Sequence, residues 1–191
     1  MIEPLSVGKA APKFALQNQN DETVRLADFK GGRLLVYFYP KAMTPGCTQQ
    51  ACGLRDTLDE LTRRGVKVVG ISPDPVKRLK KFEEKETLNF PLLSDEDHAI
   101  AEAFGVWGPK SFMGRTFDGI HRISFLIGPT GKVEHVFTDF VAKHHQDVVV
   151  NYLDGKTETV KSAAAQAKPK TDSKASAKRP ATSQARKPKQ Q

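Results

Sequence analysis

Residues 33–72, RLLVYFYPKAMTPGCTQQACGLRDTLDELTRRGVKVVGIS, decide the fold class of this 191-residue chain. Apart from Arg33, residues 33–39 are aliphatic or aromatic, which is typical of a central strand buried on both faces. From Pro45 to Arg64 the apolar residues recur every three or four positions before a glycine, which predicts an amphipathic helix. Residues 66–72 form a second buried strand, so the stretch is a β-α-β unit.

Shorter elements extend this unit in both directions. Before it, residues 13–26 predict a small hairpin around a polar Asn/Asp turn. After it, the sequence predicts a helix over 74–88, an extended piece over 89–94 and a helix over 94–105, which opens on a Ser94–Asp97 capping box. A long loop over 107–119, a hairpin over 121–137 and a helix over 144–153 follow. This alternation of strands and helices predicts an α/β domain with a central sheet.

The formal net charge of +8 is concentrated near the C-terminal end. Residues 156–191 hold ten Lys and Arg against two acidic residues, whereas residues 1–155 hold twenty of each. The C-terminal segment is rich in Lys, Ala, Pro and Ser and has no aromatic residue, so it cannot bury enough apolar surface to offset its ordering entropy. We therefore expect one domain over 1–155 and a disordered basic tail over 156–191.

The sequence also suggests a compartment. It has no apolar secretory segment at its start, and no stretch approaches the roughly 20 apolar residues that cross a bilayer. We expect a cytoplasmic protein without membrane attachment. In a reducing compartment, two nearby cysteines are more often catalytic or metal-binding than joined in a static disulfide. Two thiols without a third and fourth ligand make a poor zinc site, so we expect no metal.

Cys47 falls in the first turn of the predicted central helix. Thr44 and Pro45 are residue types favoured at the N-cap and at the first helical position. The free N–H groups and the positive end of the helix dipole converge on this turn and favour an anion there. We therefore expect Cys47 to be held as the reactive thiolate and to act as a nucleophile. The alternative, two small buried apolar residues, fits poorly with the Gly, Pro and Thr around Cys47.

Cys52 lies five residues further along the same predicted helix. Five helical residues advance about 7.5 Å and rotate about 140°, which places the two Cα atoms roughly 8 to 9 Å apart. A disulfide needs a Cα separation below about 7 Å. If the two thiols bond to each other, the opening turns of the helix must unwind, and Gly53 lowers the cost of unwinding there. We therefore predict local unfolding as a step of any cycle that joins them.

Residues 40–48, PKAMTPGCT, fit the peroxiredoxin pattern of Pro, three residues, Thr, two residues and Cys. The chain from about Pro4 to Leu153 resembles the bacterioferritin comigratory protein branch of this family, also called PrxQ. The resemblance continues through ACGLRD, NFPLLSDEDH, FGVWGPKSFMG and DGIHRISFLI. It implies a thioredoxin-like fold, with helices flanking a central mixed β-sheet and an N-terminal β-hairpin. It also implies reduction of hydrogen peroxide and organic hydroperoxides without a cofactor.

The same resemblance implies roles for five residues. Cys47 would be the peroxidatic residue, Thr44 would hydrogen-bond the incoming peroxide, and Pro40 would shield the sulfur from solvent. Arg122 matches the family's active-site arginine, whose charge would hold the thiolate and polarise the O–O bond. Cys52 fits the resolving role, in which it condenses with the Cys47 sulfenic acid to a Cys47–Cys52 disulfide. Thioredoxin or a similar thiol reductant would restore the dithiol in a protein that we expect to be monomeric.

Two other enzyme classes match less well. A thioredoxin-like disulfide oxidoreductase usually has two residues between its cysteines, whereas four intervene here. A cysteine–histidine hydrolase would need a histidine beside Cys47. We expect surface or capping roles instead for all the histidines, which are His98, His121, His135, His144 and His145.

The basic tail raises a separate, non-enzymatic hypothesis. Its eight surplus positive charges would attract nucleic acid or an acidic surface, with a strong dependence on salt. A solubilising extension without a partner fits the same composition equally well.

Overall fold

A computed structural model describes residues 2–112 and 114–156 of the chain. The strands are β1 (Ala15–Asn18), β2 (Thr23–Arg25), β3 (Arg33–Phe38), β4 (Val66–Ser72), β5 (Leu92–Ser94), β6 (Trp107–Phe112), β7 (Arg115–Ile120), β8 (Ser124–Ile127) and β9 (Val133–Phe137). The helices are α1 (Pro45–Arg63), α2 (Val76–Glu86), α3 (Ala99–Ala103) and α4 (His145–Leu153), with short 3-10 helices at Leu26–Phe29 and Ala142–His144. The tail predicted over 156–191 lies outside the described residues except for Lys156.

Seven strands form one mixed sheet in the order β2-β1-β5-β4-β3-β8-β9. β3 pairs in parallel with β4 and antiparallel with β8, so the apolar run at 33–38 is the central strand that its composition predicted. β4 also pairs in parallel with β5, whereas β1 runs antiparallel to β2 and to β5. The predicted central mixed sheet and N-terminal hairpin are confirmed.

Two apolar cores lie on opposite faces of the sheet, because successive side chains of a strand point to opposite sides. Leu35 and Tyr37 of β3 belong to the core that packs under α1, α2 and α4. Leu34, Val36 and Phe38 belong to the other core, which α3 and the N-terminal residues cover. The helices therefore flank the sheet on both sides, as predicted.

The loop predicted over 107–119 is wrong. β6 and β7 form a separate two-stranded antiparallel sheet with Trp107 opposite Ile120 and Phe112 opposite Arg115. The two strands form although the stretch contains Gly and Pro, which are depleted in strands. An isolated hairpin tolerates Pro109, since edge strands leave N–H groups outside the ladder in any case.

The capping box predicted for Ser94 and Asp97 is also wrong. Ser94 is the last residue of β5, and α3 begins only at Ala99. Asp95 caps the helix instead, because its carboxylate accepts the backbone N–H groups of Ile100 at 3.1 Å and Ala101 at 2.8 Å. Strand pairing holds the serine in the sheet, so the next carboxylate takes over its role. Within the described residues, no helix is long and apolar enough to cross a membrane.

Candidate active site

The junction between β3 and α1 places Cys47 in a buried first turn. Met43 adopts the left-handed conformation with φ of 63°, which reverses the chain before Thr44 takes the extended N-cap position. Pro45 is the first residue of α1, as the sequence predicted. The side chain of Thr44 does not cap the helix, because its hydroxyl donates to the Lys41 carbonyl at 2.9 Å. Cys47 itself is only 2% exposed.

Arg122 is the cationic partner of Cys47. It precedes β8, and its Nη2 lies 3.3 Å from the Cys47 Sγ atom, within donating distance. The residue before the cysteine, Gly46, has no side chain, and a Cβ there would already touch this guanidinium nitrogen at 3.5 Å. The sulfur therefore lies at the N-terminus of α1 and against a fixed positive charge.

The loop that carries Pro40 and Thr44 is fixed by an ion pair that sequence reasoning missed. The Asp74 carboxylate accepts the backbone N–H of Ala42 at 2.6 Å and the hydroxyl of Ser72 at 2.9 Å. Arg78 pairs with the same carboxylate at 3.0 Å and donates to the Ala42 carbonyl at 2.9 Å. Both backbone groups of Ala42 are thus held by charged side chains, which anchors the loop beside the sulfur. The structure leaves the roles of Pro40 and Thr44 as predictions.

Cys52 has different neighbours from Cys47, although both are free thiols on α1. Its sulfur lies 3.8 Å from the Glu86 carboxylate at the end of α2. Burial raises the pKa of the Cys52 thiol, the Glu86 charge raises it further, and Arg55 acts in the opposite direction. Cys52 is therefore held as the neutral thiol while α1 is intact. Both cysteines lie on the continuous helix α1, and neither is joined in a disulfide.

Gly53 faces α4. The end of the Gln146 side chain lies where a Cβ atom of residue 53 would be, so a larger residue there would have to displace this flexible side chain. The low helix propensity of glycine therefore remains the main property of this position.

A buried polar chain continues from Arg122 to α4. The Oε1 atom of Gln50 accepts a hydrogen bond from Arg122, and its Nε2 atom lies 3.1 Å from Nδ1 of His145. Gln50 and His145 are both fully buried. The prediction of a surface or capping role is therefore wrong for His145, although its neighbour His144 is exposed and pairs with Asp147. The one-turn spacing between Cys47 and Gln50 is the sequence signal that could have suggested this contact.

The β6–β7 hairpin carries a second basic side chain that interacts electrostatically with Arg122. Lys110, in β6, donates from Nζ to the Ile120 carbonyl at 2.8 Å. Burial lowers the pKa of Lys110, and the positive charge of Arg122 lowers it further, while a negative charge on Cys47 would raise it. Among residues 2–112 and 114–156, no group of three or more His, Cys, Asp or Glu side chains is placed to hold a metal ion.

Known proteins resemble this chain in sequence. Residues 7–136 match the AhpC/TSA family. The chain is 64% identical over 152 residues to peroxiredoxin Bcp of Escherichia coli K12, and the aligned region covers 80% of this chain and 97% of that protein. It is 59% identical over 152 residues to the putative peroxiredoxin bcp of Haemophilus influenzae, with 80% and 98% covered.

Solved structures resemble the fold. The bacterioferritin comigratory protein of Xanthomonas campestris, studied for its alkyl peroxide reduction activity, is 35% identical with a TM-score of 0.69 over 74% of this chain and 90% of that chain. A mutant PrxQ of Xylella fastidiosa is 29% identical with a TM-score of 0.75, over 82% of this chain and 99% of that chain. These neighbours have the thioredoxin-like fold that the sequence resemblance implied.

Proposed function

Because the chain belongs to the AhpC/TSA family and is a thiol-dependent peroxidase of the peroxiredoxin type, we propose that Cys47 attacks the peroxide and that Cys52 resolves the product. One observation carries the assignment. The Cys47 sulfur is buried in the first turn of α1, 3.3 Å from the guanidinium of Arg122. Cys52 lies five residues further along α1, is only partly buried, and its sulfur contacts the Glu86 carboxylate.

The first step is a two-electron oxidation of Cys47. The thiolate forms an S–O bond with the nearer peroxide oxygen as the O–O bond breaks, and the departing oxygen takes a proton and leaves as alcohol or water. Arg122 stabilises the thiolate and the negative charge that develops on the oxygens. Thr44 donates to the bound peroxide once its hydroxyl leaves the Lys41 carbonyl, and Pro40 keeps water from the sulfur.

The second step joins the two sulfurs. Cys52 attacks the sulfur of the Cys47 sulfenic acid, the S–O bond breaks, and the hydroxyl leaves as water after gaining a proton. An intact helix keeps the Cα atoms roughly 8 to 9 Å apart, beyond the reach of a disulfide. The opening turns of α1 therefore unwind before the bond forms. Unwinding also takes Cys52 away from Glu86, which removes one cause of its raised pKa.

The substrate is a peroxide and the reductant is of the thioredoxin type, as family membership implies. For this chain we propose both hydrogen peroxide and organic hydroperoxides, with thioredoxin itself as the reductant. The alkyl peroxide activity of the Xanthomonas campestris relative supports the organic substrates. We further propose a monomer whose basic tail takes no part in the peroxidase reaction.

A peroxidase assay coupled to thioredoxin and its reductase tests the residue roles. Cys47→Ser should lose both the reaction with peroxide and reductant-driven turnover. Cys52→Ser should consume one equivalent of peroxide and then stop, because the sulfenic acid has no resolving partner. A Cys47→Ser protein that still turns over peroxide would overturn the assignment of the nucleophile.

A further inference from the structure

We propose that His145 is a positioning residue that sets the reactivity of Cys47 through Gln50 and Arg122. The chain of contacts is continuous. Arg122 donates to the Cys47 sulfur at 3.3 Å and to Gln50, and the Gln50 amide lies 3.1 Å from Nδ1 of His145. His145 has no hydrogen bond to the sulfur, so it acts on Cys47 through Gln50 and Arg122.

The direction of each hydrogen bond follows from what the groups can donate. An arginine has no acceptor, so Gln50 must present its oxygen to Arg122. The Gln50 NH₂ group is then turned towards His145, whose Nδ1 must accept. His145 is therefore neutral, with its proton on Nε2. A side chain without an acceptor at this place would release the Gln50 amide, and Gln50 could then rotate away from Arg122.

The surroundings of His145 indicate that a histidine is needed here for its hydrogen bond with Gln50. Its ring lies among the rings of Phe140, Tyr37 and Phe137, with centroid distances of 4.3, 6.1 and 6.4 Å. Nε2 has no hydrogen-bond partner among the described residues. A buried N–H without a partner destabilises the fold, so packing alone would favour an apolar ring at this position. The acceptor at Nδ1 is the property that an apolar ring lacks.

The contact also joins the two parts of the protein that must separate during the cycle, an argument that rests on the proposed function. Gln50 lies between Cys47 and Cys52, within the stretch of α1 that unwinds, whereas His145 is on α4. Unwinding breaks the bonds of Gln50 to His145 and of Cys47 to Arg122 together. His145 thus stabilises the closed helix, in which Cys47 meets peroxide.

The test compares His145→Phe with His145→Asn. Phenylalanine keeps a ring in the aromatic pocket and removes the acceptor, whereas the Oδ1 of asparagine can replace Nδ1. We expect His145→Phe to slow the single-turnover oxidation of Cys47 by hydrogen peroxide about tenfold, the effect of one hydrogen bond of ordinary strength. The pH profile of Cys47 alkylation by iodoacetamide should move to higher pH. His145→Asn should restore most of the rate and the profile.

Val149→Ala is the matched control, because Val149 is a buried residue of α4 whose truncation loosens packing but removes no hydrogen bond. Urea denaturation reports the stability of every variant. Equal rates in wild type and His145→Phe would overturn the proposal. So would equal losses in His145→Phe, His145→Asn and Val149→Ala. If His145→Phe does not fold, His145→Leu replaces it with the same expectations. A wild-type protein that fails to react with peroxide would instead refute the proposed function.

Discussion

Acidification should weaken the folded protein through His145, because this buried side chain cannot take up a proton without losing its surroundings. Burial lowers the pKa of His145 from 6.5 to about 3, and the positive charge of Arg122 adds to the effect. The unfolded chain therefore binds this proton more tightly than the folded one. The stabilising contribution is complete above the unfolded pKa and is lost as the pH falls from 6.5 towards about 3.

The size of the effect follows from the pKa difference. Each pH unit below the unfolded pKa of 6.5 removes about 1.4 kcal/mol from the free energy of unfolding. Between pH of about 7 and about 5 the loss is therefore about 2 kcal/mol. Gln50 and Tyr37 both lie beside His145, and neither carries a negative charge that could stabilise a protonated imidazole. Gln50 cannot ionise, and burial raises the pKa of Tyr37.

Urea denaturation of the wild type and of His145→Asn at both pH values measures this contribution. Other groups with shifted pKa values, such as His121, His135 and Asp95, are present in both proteins and cancel in the comparison. The wild type should lose about 2 kcal/mol more than His145→Asn on acidification. Equal losses in the two proteins would show that His145 gains its proton without cost, and would refute the argument.

Three further predictions concern the helix and the tail. Glu86→Gln should speed the alkylation of Cys52 severalfold in a variant without the other thiol, since the carboxylate raises the pKa of this sulfur; an unchanged rate would contradict that cause. Amide exchange over residues 45–55 should be faster in the disulfide form than in the dithiol form, and equal protection in both would rule out unwinding. Deletion of residues 160–191 should leave kcat/KM in the coupled peroxidase assay unchanged, and a loss beyond about twofold would give the tail a role in the reaction.

Local patterns account for the parts of the fold that the sequence predicted correctly. The apolar stretch of β3, the spacing of the apolar residues along α1 and the turn before Cys47 depend on residues close together in the chain. The errors have a different origin. The β6–β7 hairpin forms despite Gly and Pro, and Asp95 replaces the predicted cap of α3, because strand pairing decides both. Arg122 was identified only through resemblance to a family, since no local pattern distinguishes it from other arginines.

The sequence by itself determined that a thiol lies in the first turn of a helix after a buried strand, because strand, turn and helix are encoded within the one stretch 33–63. Only the tertiary structure decided what faces that thiol. Arg122 is 75 residues away in sequence from Cys47, and His145 is 95 residues away from Gln50. Periodicity predicts which face of an element is buried, but not which distant side chain will lie against it. That depends on the pairing of β8 with β3 and on the packing of α4 against α1, which only the folded chain specifies.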